Sequence, residues 1–325
     1  MGATPVPVTD IASFAHELEA QGWDGLALGE AHGLLPDPYV ALAAAASSTT
    51  RLHLGTAVSV PLRPPLLAAG AMVTLQALSH DRVTFTLGRG GGGAKIVPRW
   101  PITVEDFARY LEQLQQLLRR GRADVEGRSV SMTSMGTIDP SLELEKPRVD
   151  VAATGPRTLE AGTRWADGIV VSVGASDDAL VRALDAARRA WRDAQRNEEL
   201  AVSCVVQVAV TCGDDASARE AIRGLVMTHA GFAVPASRRR RIAREVVEAS
   251  PSSGGEIDFY PDGDDVDALI DRFAIVGPAA HCAARLRQIS ELGFRRIYIG
   301  TRSVGVDLEE RNTRNIGLDV LAKVR

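Results

Sequence analysis

Residues 51–87, RLHLGTAVSVPLRPPLLAAGAMVTLQALSHDRVTFTL, decide the fold. Leu52–Val60 and Val83–Leu87 are short runs rich in β-branched residues, bounded by turn formers, and they read as strands. Between them Pro65–Leu78 reads as a helix that opens on proline, a residue whose missing N–H costs nothing in a first helical turn. Two strands joined by a helix make a crossover unit, which lays the strands parallel.

The same alternation continues on both sides. Strands are expected at Ala3–Val8, Gly25–Gly29, Val149–Ala153, Gly168–Val173, Val202–Thr211 and Arg295–Gly300. The helices between them start and stop on legible signals. Thr9 or Asp10 opens one that Gly22 ends, Asp37-Pro38 opens a second, and Gly293 closes a helix over Pro278–Leu292. Further helices are expected at Val104–Arg120, Pro156–Trp165, Asp177–Arg196, Ala216–Met227 and Glu309–Val324. Counted with the two above, the strands number eight. That predicts an α/β fold, a (β/α)₈ TIM barrel, as one domain over residues 1–325. A doubly wound open sheet is the rival, and it would use fewer strands. Residues 122–147 and 229–264 carry no strong period and read as irregular insertions.

Composition narrows the function. The chain has 325 residues, is 45% hydrophobic and 24% charged, and carries a formal charge of -4. That balance disfavours a nucleic-acid binder, and the basic run Arg238–Arg241 reads as an exposed helix face. Cys204, Cys212 and Cys282 lack the spacing of a zinc site or a disulfide framework. No histidine pair has ligand spacing, so no metal is expected. His53, His80 and His281 read as structural or exposed. Neither a leader nor a membrane span is expected, and the expected location is the cytoplasm.

In a barrel of this kind the site lies at the carboxyl ends of the strands. The most informative segment there is Thr154-Gly155-Pro156-Arg157-Thr158. It places a tight turn before a helix whose first N–H groups, at Arg157, Thr158 and Leu159, point out of the barrel beside an arginine. Such a turn suits an anion, a phosphate above all, and it equally describes an ordinary βα turn. The run Gly88-Arg89-Gly90-Gly91-Gly92-Gly93 follows the fourth strand and reads either as a ligand loop or as a flexible lid. Its G-x-G-x-x-G spacing opens no helix, so it is no dinucleotide fingerprint. Glu30 and His32 stand past the second strand, where a carboxylate and an imidazole can move protons; the reading favours Glu30. Gly55, inside the third strand, signals a bulge or a close approach. The mouth segment Ser172–Ser176 adds Val173 to the candidate cofactor-binding residues.

These stretches together resemble the luciferase-like monooxygenase superfamily, and more closely its branch that uses the deazaflavin coenzyme F420. The resemblance is carried by Gly22-Trp23-Asp24-Gly25-Leu26, Leu28-Gly29-Glu30, residues 37–44, Arg51–Val58, Val83–Gly90, Ala153–Thr158, Ala166-Asp167-Gly168-Ile169 and Gly277-Pro278. It implies a homodimeric barrel of the bacterial-luciferase-like type. It further implies a bulge with a non-prolyl cis peptide at Thr56, Ala57 and Val58 against the ring, a phosphate turn at Gly155, Pro156, Arg157 and Thr158, and a cofactor-facing loop at Gly88, Arg89 and Gly90. One departure stands out. Members of the family commonly carry a histidine after the acid of strand two, and here Ala31 takes that place while His32 falls one residue late. The implied activity is hydride transfer between reduced F420 and a small organic substrate. The alternatives are an FMN monooxygenase of the same fold and a degenerate, non-catalytic flavin-binding member.

Overall fold

A computed structural model describes residues 7–30, 35–90, 102–132, 144–153, 155–211, 213–233, 264–300 and 306–324. Helix α1 (Ile11–Ala20) leads into β1 (Gly25–Leu28), α2 (Pro38–Ser48), β2 (His53–Ser59), α3 (Pro65–Ser79) and β3 (Val83–Leu87). Helix α4 (Val104–Arg120) is followed by a hairpin of β4 (Arg122–Val125) and β5 (Arg128–Ser131). Then come β6 (Arg148–Ala152), α5 (Pro156–Thr163), β7 (Gly168–Val171), α6 (Asp177–Asp193), β8 (Val202–Val210) and α7 (Asp215–Ala233). The chain closes with α8 (Asp264–Phe273), β9 (Ala274–Gly277), α9 (Ala279–Glu291), β10 (Arg296–Gly300) and helical turns over 306–324.

Local chemistry explains the boundaries. The Asp37 carboxylate caps α2 by accepting from Tyr39 N at 2.9 Å and Val40 N at 3.2 Å, with Pro38 in the first turn. Thr103 Oγ1 accepts from Asp106 N at 3.0 Å and opens α4, which Gly121 ends at φ 67°.

Eight strands form one parallel sheet in the order β1-β2-β3-β6-β7-β8-β10, with β9 pairing to β8. In-register partners share a face, and two faces separate cleanly. Leu54, Phe85, Val149, Val151, Ile169, Cys204, Val206 and Val208 are essentially fully buried and lie on the face that the helices cover. The other face carries His53, Thr84, Arg148, Asp150, Gly168, Val170, Ser203 and Arg296. That second face is concave. Arg296 on β10 donates to Thr84 Oγ1 on β3 at 3.2 Å, although three strands separate them in the sheet. Such a contact requires the sheet to curl round its polar side, as it does in a barrel. Among the described residues no ladder joins β10 to β1.

The interior is charged where small residues leave room. Arg148 Nε lies 2.8 Å from Asp150 Oδ1, and the Asp150 side chain is 1% exposed. Both side chains fold over Gly168, where an added Cβ would stand 2.7 Å from Asp150 Oδ1 and 2.8 Å from the Ala201 carbonyl. Burial raises the Asp150 carboxyl above its usual range, while the guanidinium groups of Arg148 and Arg296 pull it down. His53 Nε2 sits 2.8 Å from Thr84 Oγ1 in the same layer.

Several expectations are corrected. The expected strand Ala3–Val8 falls largely outside the described residues, and Val8 itself belongs to a 3₁₀ turn. The eighth strand of the sheet is β9, which has no turn residue before it because α8 runs straight into it. The segment 122–147 contains the β4–β5 hairpin, turned by Glu126 and Gly127 at positive φ. The segment 229–264 is entered by α7, which continues six residues past Met227 to Ala233. Arg238–Arg241 and Cys212 lie outside the described residues; Cys204 and Cys282 are buried free thiols.

Candidate active site

The carboxyl ends of β1, β2 and β3 are laced together around one irregularity. The register of β2 against β3 shifts between Ala57 and Ser59, and the Ala57–Val58 peptide is cis. Glu30, just past β1, donates its N–H to Val58 O at 2.9 Å. Its Oε2 accepts from Val60 N at 2.8 Å, so the carboxylate spans the bulge and holds the strand beyond it. Gly88 N donates to Ser59 O at 2.9 Å, and a Cβ on Gly88 would come within 3.1 Å of Val58 Cγ2. A side chain at this position would press on Val58 where the end of β3 closes on the bulge.

Behind the bulge a second network braces it. The Tyr39 ring stacks on Phe85 at 5.6 Å between centroids, and the Arg63 guanidinium covers it at 4.4 Å. Arg63 also pairs with Asp37, the cap of α2. Burial pushes the Tyr39 phenol up to about 12. It is therefore neutral at physiological pH.

The other candidate residues are placed unevenly. Thr56 is fully buried on the helix-facing side, where its hydroxyl donates to Thr86 O at 3.1 Å and accepts from Thr86 N at 2.9 Å. It is a strand staple, while Ala57 and Val58 are partly open at the mouth. Arg89 folds back, its Nη2 2.6 Å from Ile102 O, and Gly90 has φ 80°. Val173 packs against the main core. Gly155 is the N-cap of α5, Pro156 is its first residue, and among the described residues nothing beyond its chain neighbours lies within 4 Å of where a Gly155 Cβ would stand. Leu159 N is not a free donor: it bonds Gly155 O at 3.0 Å and begins the helix ladder. Arg157 and Thr158 are left as the first-turn donors. The Arg157 side chain is 78% exposed and reaches Glu105 at 3.4 Å. A pair that open adds little stability and is readily exchanged for another anion. His32 and Thr154 lie outside the described residues.

On the far side of the mouth the structure shows groups that the sequence did not single out together. Ser172, two residues past the concave Val170, has its Oγ 3.0 Å from His229 Nδ1 on α7. Burial alone holds the His229 imidazole down to about 4, so it is neutral at pH 7. On β8 the Gln207 side chain is 1% exposed, and its Nε2 has no hydrogen-bond partner among the described residues. The available signal was Gln207 itself, a polar residue in the otherwise apolar run Val205-Val206-Gln207-Val208-Ala209. No group of three or more metal-ligating side chains exists among the described residues.

A polar-lined, curled parallel sheet with helices on its outer face and a bulged strand is a barrel-type α/β scaffold, in which sites lie at the carboxyl ends of the strands. Residues 1–296 match the family model of luciferase-like monooxygenases, and the chain belongs to that family. It is 24% identical over 328 residues to the 5,10-methylenetetrahydromethanopterin reductase of Methanolobus tindarius, covering 97% of this chain and 96% of that one. The coenzyme F420 dependent tetrahydromethanopterin reductase of Methanopyrus kandleri has the same fold, with a TM-score of 0.76 at 17% identity over 100% of this chain and 99% of that one. A monooxygenase from Streptomyces bottropensis superposes with a TM-score of 0.69 at 21% identity, covering 98% and 94% of the two chains.

Proposed function

We propose that the protein is an F420-dependent oxidoreductase that moves a hydride between the reduced deazaflavin and a small organic substrate. The observation that carries this reading is the end-to-end likeness to a reductase, over 96% of that relative's length. The residues present fit the coenzyme. The open turn at Gly155, with the N–H groups of Arg157 and Thr158 and the exposed guanidinium of Arg157, suits an anionic tail. The bulge at Ala57 and Val58, held by Glu30 and Gly88, offers backbone to a flat ring. When bound, the coenzyme would supply the redox chemistry; the chain's part is to bind, orient and exclude water. Glu30 acts here by fixing the bulge, and no histidine is needed at Ala31 for that role.

Side-by-side titration of the purified protein with F420 and FMN tests the reading. F420 is expected to bind at least ~10-fold tighter, and Arg157→Ala to weaken it by about 1–3 kcal/mol, as for a charged hydrogen bond. Tight FMN binding with F420 ignored would replace this reading with the monooxygenase one.

We propose further that the protein is a homodimer through α2 and α3. Val40, Leu67 and Leu78 on these helices are 65%, 64% and 47% exposed, an apolar set in helices already rich in alanine. Light scattering is expected to give twice the chain mass at micromolar concentration. Charging the face with Leu67→Glu should leave a monomer. A wild-type protein that is already monomeric would reject the dimer.

A further inference from the structure

We propose that Gln207 and Ser172, with His229 behind Ser172, form a subsite at the barrel mouth for a carbonyl-type oxygen of the bound coenzyme. The proposal deepens the oxidoreductase reading and rests on it. Three observations converge. Gln207 Nε2 is a buried amide donor with no partner among the described residues, and a buried donor left unpaired is costly unless a ligand takes it up. Ser172 and Gln207 rise from neighbouring strands on the same concave side. Val171 pairs with Cys204 as the last pair of the β7–β8 ladder, so Ser172 stands just past that ladder and Gln207 three residues beyond Cys204 along β8. Helix α7 covers both. Leu225 comes within 2.9 Å of where a Gly300 Cβ would stand, Gln207 Nε2 lies 3.3 Å from the same point, and His229 follows one turn after Leu225 to reach Ser172.

The chemistry selects an acceptor. An amide nitrogen can only donate. With its proton on Nδ1, the neutral imidazole of His229 donates to Ser172 Oγ and leaves the hydroxyl hydrogen for the ligand; this tautomer is our assignment. Two donors on adjacent strands then face one oxygen. Ser172 and Gln207 are the contact groups, and His229 is a positioning residue that acts through Ser172. The oxygen we assign to it is one of the coenzyme ring.

Nitrogen-15 NMR of the purified full-length protein, labelled at histidine and glutamine side chains and saturated with F420, tests the subsite. The Gln207 amide and His229 imidazole signals are expected to move on binding. Ser172→Ala should abolish the His229 response, and Ser172→Thr, which keeps the hydroxyl, should restore it. Gln207→Glu exchanges a donor for an acceptor at nearly constant size. Weakening of F420 binding by about threefold or more, on the way to the ~10-fold of a lost hydrogen bond, supports the contact with the coenzyme, and an unchanged affinity overturns it. F420 that binds while both signals stay in place overturns the subsite. Failure to bind F420 or FMN at all overturns instead the cofactor reading, which separates the two failures.

Discussion

Replacing Arg82 with alanine is expected to cost the fold about 3 kcal/mol, several times the effect of removing a surface charge. Arg82 stands between α3 and β3, at the end of the barrel opposite the mouth. Its Nε donates to Ser79 O at 2.6 Å, the last residue of α3. Its Nη1 donates to Leu52 O at 2.6 Å, just before β2, and its Nη2 to Thr49 O at 2.9 Å and Ala46 O at 3.3 Å at the end of α2. One planar cation thus satisfies carbonyls that two helix ends and a loop leave without intrahelical partners. Alanine removes the donors and leaves these carbonyls to whatever water can reach them. Lysine has the charge without the fork, so Arg82→Lys should recover less than half of the loss. As a control, Arg182→Ala removes an exposed i,i+4 pair with Asp178 and should change stability by no more than about 0.5 kcal/mol. Urea midpoints of the three variants measure this. An Arg82→Ala midpoint equal to that of Arg182→Ala would refute the staple.

How far the sequence could be read followed from where each signal lies. Helix α2 announces itself through Asp37-Pro38, and α4 through Thr103 and Gly121, because a cap is a local interaction between residues a few positions apart. Seven of the eight strands of the sheet read as apolar runs, but their two faces do not. In a parallel sheet buried on both sides the alternation is blurred, and only the register shows that Arg148, Asp150 and Arg296 share one interior layer. Strand β9 carries four residues without punctuation, and a run that short competes with the end of the preceding helix. The site divides in the same way. Gly55 and Gly88 are legible because each marks a close approach at its own position, whereas Gly155, at φ -94°, meets no such demand. The Ser172–His229 contact joins residues 57 apart in sequence, and His229 lies in a stretch whose helical period fades before α7 ends, so no local pattern could pair them.

Acid is expected to destabilise the protein in a window set by two histidines. Burial, reinforced by the guanidinium groups of Arg296, Arg82 and Arg148, holds His53 down to about 4. Burial holds His229 to about the same value. In the unfolded chain both imidazoles titrate near 6.5. The folded values are depressed, so the unfolded state binds protons first as the pH falls. The stabilisation is fully present above about 6.5, is lost progressively between 6.5 and 4, and changes no further below 4. A gap of this size is worth at most roughly 3 kcal/mol per histidine, and the two together are comparable with the lower end of typical domain stability. Carboxylates that gain partners on folding, such as Asp167 beside Lys146 and Val149 N, also lose stability in acid, but their depressed values place that loss below the histidine window. Asp150, raised by burial, works in the opposite sense and blunts the fall. Urea unfolding at half-unit steps from pH 8 to pH 4.5 should therefore show a plateau and then a decline that begins near 6.5. His53→Gln keeps an amide that can reach Thr84 Oγ1 while removing the titration, and it should roughly halve the decline even if it lowers the plateau. A wild-type midpoint that stays level from pH 7 to pH 4.5 would show that neither imidazole is held neutral by the fold, and a decline of undiminished depth in His53→Gln would remove His53 from the account.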